Sequence, residues 1–227
     1  MKAFRVYCAM SFVFLVAFLF PLTVLSAESP ADRQANNANL PAFLKKLGKE
    51  IADFKTLSTD FIQEKEMALF KKKLVLRGRI YLRKPNTIAW HVDSPVRYSV
   101  LITDKVIRQW DEDTNRVQEI SLTQNPVFQN VLSQLTVWFS GDYTTLLETN
   151  TVRLVKIEPL TVEFIPHKKN IAATVIQKVT ISFREDRTYL KQIRIHELSG
   201  DITTIIFTNT LLNAPLDQRN FEVKGHE

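Results

Sequence analysis

Closely spaced carboxylates are the residues of this sequence that come nearest to the pattern of a catalytic site. Glu64 and Glu66 stand two positions apart, so on a strand they share one face and could act as a general acid and a general base. The acidic residues at 111–113 and 185–186 stand where hairpin turns are expected, and turns favour aspartate for backbone reasons. We therefore predict that all three groups are solvated. An envelope hydrolase that uses Glu64 and Glu66 is the alternative.

No other residue type completes a catalytic, metal or cofactor site. His91 and His196 fall in predicted strands and are expected to point outward, and His167 and His226 stand far from them in the sequence. The sequence contains no G-x-S-x-G or H-E-x-x-H motif, and only 5 glycines, which leaves little backbone suited to phosphate binding. We predict that the protein is not an enzyme and binds no metal or cofactor.

The first 27 residues have the pattern of an export signal. Lys2 and Arg5 precede an uncharged run that ends at Leu25, and the small residues Ser26 and Ala27 follow it. We expect export and cleavage near residue 27. An uncleaved membrane anchor is the alternative, because the apolar run approaches the length that spans a bilayer.

The remaining residues, 28–227, are expected to form a single domain. Cleavage lowers the count of basic residues from 30 to 28 against 24 acidic ones, and the charges are interspersed, so we expect no nucleic-acid partner. The single cysteine, Cys8, lies in the export signal, which leaves no disulfide or reactive thiol. A chain of about 200 residues can be stable through core burial alone.

Hydrophobic periodicity predicts a helix, then strands, then a helical insertion and more strands. Apolar residues three and four positions apart indicate an amphipathic helix from Leu40 to Phe54. From Leu57 the period is two, most clearly at 74–82, and short turn-forming segments separate the strands as in antiparallel hairpins. A second helical pattern begins at Asn125-Pro126, and strands resume near residue 151.

Several predicted strands are apolar on both faces. Val75 stands opposite Leu74 and Leu76, and Leu101 stands opposite its two neighbours. A thick ordinary core and a curved sheet around a ligand cavity both account for this surplus. Composition by itself favours the ordinary core.

Four segments in order resemble the periplasmic outer-membrane lipoprotein carrier (LolA-like) family. LSTDFIQEK (57–65) is similar to the F-x-x-F-x-Q segment of the family, with Phe61 and Gln63 in place. GRIYLRKPNTIAWHVDSP (78–95) carries the most specific motif, a basic residue and proline followed by an apolar position and tryptophan. VLITDKVIRQWDED (100–113) and the helical insertion follow.

This resemblance implies an α+β fold: an incomplete antiparallel β-barrel, that is, a strongly curved sheet, with a helical lid over a hydrophobic cavity. It implies a monomer in the periplasm of a Gram-negative bacterium, which holds the acyl chains of a lipoprotein or other lipid. The cargo would come from an inner-membrane ABC-type lipoprotein transporter and pass to an outer-membrane acceptor. A lipid- or peptide-binding envelope sensor that transports nothing is the alternative.

The resemblance also implies roles for individual residues. By matching position, the acyl chains are expected to meet side chains of the sheet and of the lid helix, namely Phe61, Ile80, Leu82, Ile88, Trp90, Val100, Ile102, Phe128, Leu132 and Leu135. Lys84 stands where the family has an arginine that bonds to the lid, and it is expected to be a weaker latch because an ammonium lacks the planar fork of a guanidinium. Arg83 falls on the opposite strand face and is not expected to substitute for it.

Overall fold

Alternating apolar and polar residues run through most of the chain after Phe54, and they form the strands of one antiparallel sheet. The computed structural model describes residues 40–52, 54–69, 72–122 and 143–223 of the 227-residue chain. The predicted first helix is α1 (Leu40–Ala52), and a short helix α2 (Tyr143–Thr149) precedes the second run of strands.

The described residues form eleven strands, and the predicted alternation is clear on the second of them. On the second strand, Leu76 and Ile80 are buried on one face, whereas Arg77 and Arg79 are exposed on the other. The strands are β1 (Thr56–Met67), β2 (Lys72–Arg83), β3 (Thr87–Ser94), β4 (Tyr98–Ile102), β5 (Val106–Asp111), β6 (Arg116–Ser121), β7 (Asn150–Ile157), β8 (Leu160–Pro166), β9 (Ile176–Phe183), β10 (Leu190–Glu197) and β11 (Ile202–Leu212).

The sheet consists of two runs of hairpins that meet in its middle. β1 pairs antiparallel with β11, from Leu57↔Leu212 to Glu66↔Ile202. The order across the sheet is therefore β6-β5-β4-β3-β2-β1-β11-β10-β9-β8-β7, with β6 and β7 at the two edges. Both edge strands carry exposed apolar side chains, Val117 on β6 and Val155 on β7.

This architecture confirms the predicted incomplete antiparallel barrel. Val100 on β4 and Val162 on β8 belong to one hydrophobic cluster, although six strands lie between β4 and β8 in the sheet, so the sheet must curve strongly. The predicted lid helix, with Phe128, Leu132 and Leu135, lies outside the described residues.

Both described helices lie against the inner face of the sheet, which we define as the face that carries Phe61, Ile80 and Trp90. α1 contributes Leu44 and Leu47 to the hydrophobic cluster of that face. α2 contributes Tyr143 and Leu146 to the same cluster. The inner face is thus covered in part by the chain's own helices.

The outer face of β2 to β4 is covered by residues 217–223, here called the C-terminal segment. Gln218–Phe221 forms a 3₁₀ turn in this segment. The Asp217 side chain caps the turn by accepting a hydrogen bond from the Arg219 amide (2.9 Å). Phe221 and Val223 are buried against the strands. The guanidinium carbon of Arg83 lies 4.1 Å from the centre of the Phe221 ring.

His91 lies on the outer face as predicted, but the C-terminal segment leaves only 1% of it exposed. Its Nε2–H donates to the carbonyl oxygen of Asn220 at 2.8 Å, and the Ser99 hydroxyl donates to the carbonyl oxygen of Val223. Strand β2 lies very close to β3 at this point. A Cβ atom added at Gly78 would overlap the carbonyl oxygen of His91 and would lie 2.8 Å from the carbonyl carbon of His91. Only glycine fits at this position.

Burial lowers the pKa of His91 below its ordinary value of 6.5, and the hydrogen bond to Asn220 opposes that shift only in part. The nearby Asp93 carboxylate raises the pKa of His91, and the Arg79 guanidinium lowers it. Folding therefore favours the neutral imidazole. Below pH 6.5 the imidazole binds a proton more readily in the unfolded chain than in the folded one. A fall in pH through this range therefore lowers the free energy of unfolding.

We expect the free energy of unfolding to decrease as the pH falls from about 7.5 to about 5, and His91→Gln to make that decrease shallower by up to about 1.4 kcal/mol per pH unit. Burial also lowers the pKa of His196, which is kept in both proteins and contributes with the same sign. Urea unfolding at a series of pH values measures the slope. Equal slopes for the two proteins would show that His91 does not titrate on unfolding.

Candidate functional site

The side chains predicted to meet acyl chains come together on the inner face of β1 to β4. Ile80 pairs with Trp90, which in turn pairs with Val100, and the Phe61 and Trp90 rings lie 4.6 Å apart between centroids. The seven predicted residues of the sheet are all buried members of one hydrophobic cluster, namely Phe61, Ile80, Leu82, Ile88, Trp90, Val100 and Ile102.

A second set of apolar side chains on the same face comes from β8 to β11, and the sequence interpretation did not name it. The signal that could have found it is the period-two alternation from residue 160 onward, whereas the family resemblance is strongest in 57–111. The inner face therefore has two apolar halves. The second half contains Val162, Phe164, Val179, Ile181, Phe183, Ile193, Ile205 and Phe207.

Aromatic rings line this second half where the helices meet it. Tyr143 of α2 meets Phe183 edge to face at 5.5 Å, and Tyr189 meets Phe54 in the same way at 5.8 Å. Burial raises the pKa of both tyrosines far above the ordinary value of 10.0, so both hydroxyls keep their protons at neutral pH. The second half thus combines apolar rings with neutral hydroxyl groups.

Lys84 lies at the end of the inner face where α1 ends. Its Nζ atom lies 4.1 Å from the centre of the Phe54 ring, and its backbone amide donates to the carbonyl oxygen of Lys55 at 2.9 Å. The adjacent Arg83 instead contacts the C-terminal segment, where it donates to Gln218 Oε1 at 3.1 Å. The two cations therefore hold different elements, one on each face of the sheet.

The opposite end of the inner face carries a partly buried cluster of charged side chains. The Lys65 ammonium lies 3.1 Å from Glu197 and 3.6 Å from Asp201. Thr203 donates to Glu197 at 3.3 Å. This ion cluster, which no local motif predicts, closes the apolar surface with charged groups that are paired with one another.

The closely spaced carboxylates lie away from the inner face. Glu64 forms an ion pair with Lys73, and Glu66 is exposed. Asp111 and Asp186 bind backbone amides of their own turns, at Thr114 and Thr188. Glu64, Asp111 and Asp186 are therefore bound to separate partners, and they do not face one another as a catalytic acid and base would. The described ranges contain no group of three or more histidine, cysteine or acidic residues placed to hold a metal ion.

In the part of the chain that the structure describes, no helix has the length and hydropathy needed to cross a membrane.

Comparison with solved structures places the fold among known ones. MucB is similar with a TM-score of 0.50 and 12% identity over 84% of this chain, which spans 64% of MucB. An outer membrane lipoprotein-sorting protein domain from Vibrio parahaemolyticus has a TM-score of 0.43 and 10% identity, covering 80% of this chain and 95% of its own. A LolA superfamily protein from Nitrosomonas europaea has a TM-score of 0.40 and 7% identity, covering 79% and 97%. These likenesses concern the fold alone.

Comparison with curated proteins finds no match. The family model for the outer membrane lipoprotein carrier protein LolA, however, matches residues 52–224, which include all eleven strands and the C-terminal segment up to Val223. The chain belongs to the LolA family of outer membrane lipoprotein carriers.

Proposed function

We propose that the protein is a periplasmic carrier that holds the acyl chains of lipoproteins, or of a related lipid, and shuttles them from the inner to the outer membrane. The observation that carries this proposal is the apolar inner face, which runs from β4 across β1 to β8 in a member of the LolA family. Hydrocarbon chains gain free energy on such a surface because they leave water. No catalytic residue is needed for this function.

The free energy needed to displace the two described helices from the inner face opposes binding. A long acyl chain gains about 0.8 kcal/mol per buried methylene, on the order of 10 kcal/mol in all. Leu44, Leu47 and Leu146 occupy the inner face in this structure. Exposing three leucines costs about 5–9 kcal/mol, so a chain that displaces the helices keeps only a small net gain.

This balance accounts for both uptake and release. Whatever stabilises the closed form without ligand is lost on loading and lowers the apparent affinity by the same amount. A carrier needs that reduction, because cargo that binds with the full gain of several chains would not leave. We propose that Lys84 contributes to it through the Phe54 ring, by holding the residues that directly follow α1.

The remaining parts of the proposal follow the family. Export with cleavage near residue 27 would deliver residues 28–227 to the periplasm of a Gram-negative bacterium as a monomer. The cargo would arrive from an inner-membrane ABC-type lipoprotein transporter and leave to an outer-membrane acceptor. Phe128, Leu132 and Leu135 would complete the apolar surface as the lid helix.

Ile88→Glu tests the binding surface. Ile88 is buried between Leu82 and Ile102, its partners on the two neighbouring strands, so a carboxylate there would meet the acyl chain without a polar partner. We expect uptake of a fluorescent acylated peptide from vesicles to fall at least about tenfold, and uptake by Val155→Glu, at a 56% exposed position, to stay unchanged.

Circular dichroism establishes whether Ile88→Glu keeps its fold. Ile102→Trp provides a second variant, which stays apolar but takes up space on the same surface, and it should also reduce uptake. Wild-type uptake by both folded variants would contradict the binding surface.

Lys84→Met tests the latch. The variant keeps the apolar stem but removes the ammonium from the Phe54 ring, an interaction worth about 0.5–1 kcal/mol. We expect tighter binding by about two- to fivefold and, as a result, slower transfer of a pyrene-labelled acyl peptide to acceptor vesicles, with loading much less affected.

Lys84→Arg, which keeps a cation over the ring, and Arg83→Met, which changes the cation of the outer face, serve as matched controls. Both should transfer cargo at nearly the wild-type rate. Transfer by Lys84→Met at the wild-type rate would exclude the latch.

A further inference from the structure

Tyr143 carries a hydroxyl group that the described part of the fold does not use. It is the first residue of α2, and its side chain is 0% exposed. Within the described part of the chain its Oη atom has no hydrogen-bond partner. A buried hydroxyl without a partner has lost its bonds to water and gained none in return, so it lowers the stability of the closed form.

The described side chains around Tyr143 pack against its aromatic ring and offer no hydrogen bond to its hydroxyl oxygen. The ring packs edge to face on Phe183 at 5.5 Å and at a smaller angle on Phe164 at 6.4 Å. Aromatic faces are weak acceptors at most. Phenylalanine would make the same ring contacts and would bury no polar atom.

The hydroxyl is a permanent donor inside the apolar surface. Burial raises the pKa of Tyr143 well above 10.0, so the group keeps its proton across the pH range of a living cell. Tyr143 belongs to the same hydrophobic cluster as Trp90 and Phe61. Any ligand that spreads over the inner face beneath α2 therefore meets one O–H donor among apolar side chains.

An acylated ligand has one kind of group that needs such a donor. Its chains are hydrocarbon, but each is joined through an ester or amide whose carbonyl oxygen loses its bonds to water when it enters an apolar site. A single well-placed donor restores that bond and leaves the chains themselves unrecognised.

We propose that the Tyr143 hydroxyl donates a hydrogen bond to the ester or amide carbonyl of the bound acyl chain, and so makes the site selective for acyl over alkyl chains. This inference rests on the proposed function, because it assumes that lipid binds on the inner face. It assigns Tyr143 a role in specificity and no role in holding the closed form together.

The test pairs a protein change with a ligand change. The probes are a diacyl phosphatidylcholine and the dialkyl ether phosphatidylcholine of equal chain length, each presented in vesicles, with extracted lipid quantified by mass spectrometry. We expect the wild-type protein to bind the diacyl lipid about three- to tenfold more tightly, and Tyr143→Phe to bind both equally, with unchanged affinity for the ether lipid.

Two controls separate specificity from structure. Tyr81→Phe removes a tyrosine hydroxyl from the outer face, where the Tyr81 ring lies beside His91, and should keep the preference for the diacyl lipid. Tyr143→Phe without ligand should melt at or above the wild-type temperature, because it loses an unpaired buried group. The infrared carbonyl band of the diacyl lipid bound to wild-type protein supplies a measurement that needs no variant, and it should shift to the lower frequency of a hydrogen-bonded ester.

The outcomes are distinct. Equal loss of both lipids in Tyr143→Phe, or a preference that survives in it, would overturn the role of the hydroxyl while leaving the carrier function intact. A carbonyl band at its frequency in hydrocarbon would do the same. Failure of the wild-type protein to extract either lipid, while it still takes up the acylated peptide, would overturn the role of Tyr143 and leave the carrier function intact. Failure to take up any of these ligands would overturn both.

Discussion

The antiparallel pairing of β1 with β11 is the constraint on which the rest of the structure depends. It joins residues about 150 positions apart, such as Leu57 and Leu212, and so brings the two runs of hairpins into one sheet. Without it, β1 to β6 and β7 to β11 would be separate ribbons, each with one apolar side open to water. With it, their apolar faces turn toward each other and the curved inner face exists.

That inner face is shared between the chain and its proposed cargo. Leucines of α1 and α2 occupy the surface that the proposed carrier would offer to hydrocarbon, so its closed and loaded forms would bury much the same apolar area. The difference between the two forms would then be set by a few small terms: the contact of Lys84 with Phe54 at one end and, within the described residues, the Tyr143 hydroxyl that has no hydrogen-bond partner. Small terms decide an equilibrium when the large ones nearly cancel.

Local periodicity was sufficient to predict α1 and the described strands, and it was insufficient to predict how they assemble. Alternation along 74–82 predicts β2 and its buried face, and a motif of adjacent residues led to Ile88 and Trp90. The role of β8 to β11 in the inner face, the ion cluster of Lys65 with Glu197, and the burial of His91 under Asn220 all join residues more than 100 positions apart. No pattern within a strand encodes such contacts, because they depend on the pairing of β1 with β11 and on the path of the chain after it.

The open edges of the sheet have a mechanical consequence. In the described part of the chain, β6 and β7 each have a neighbouring strand on one side only. A closed barrel has a girth fixed by its strand number and shear, but this sheet can coil more or less tightly while every ladder of hydrogen bonds is kept. Its curvature is therefore not fixed by closure, and in the proposed carrier one scaffold would fit hydrophobic loads of unequal bulk.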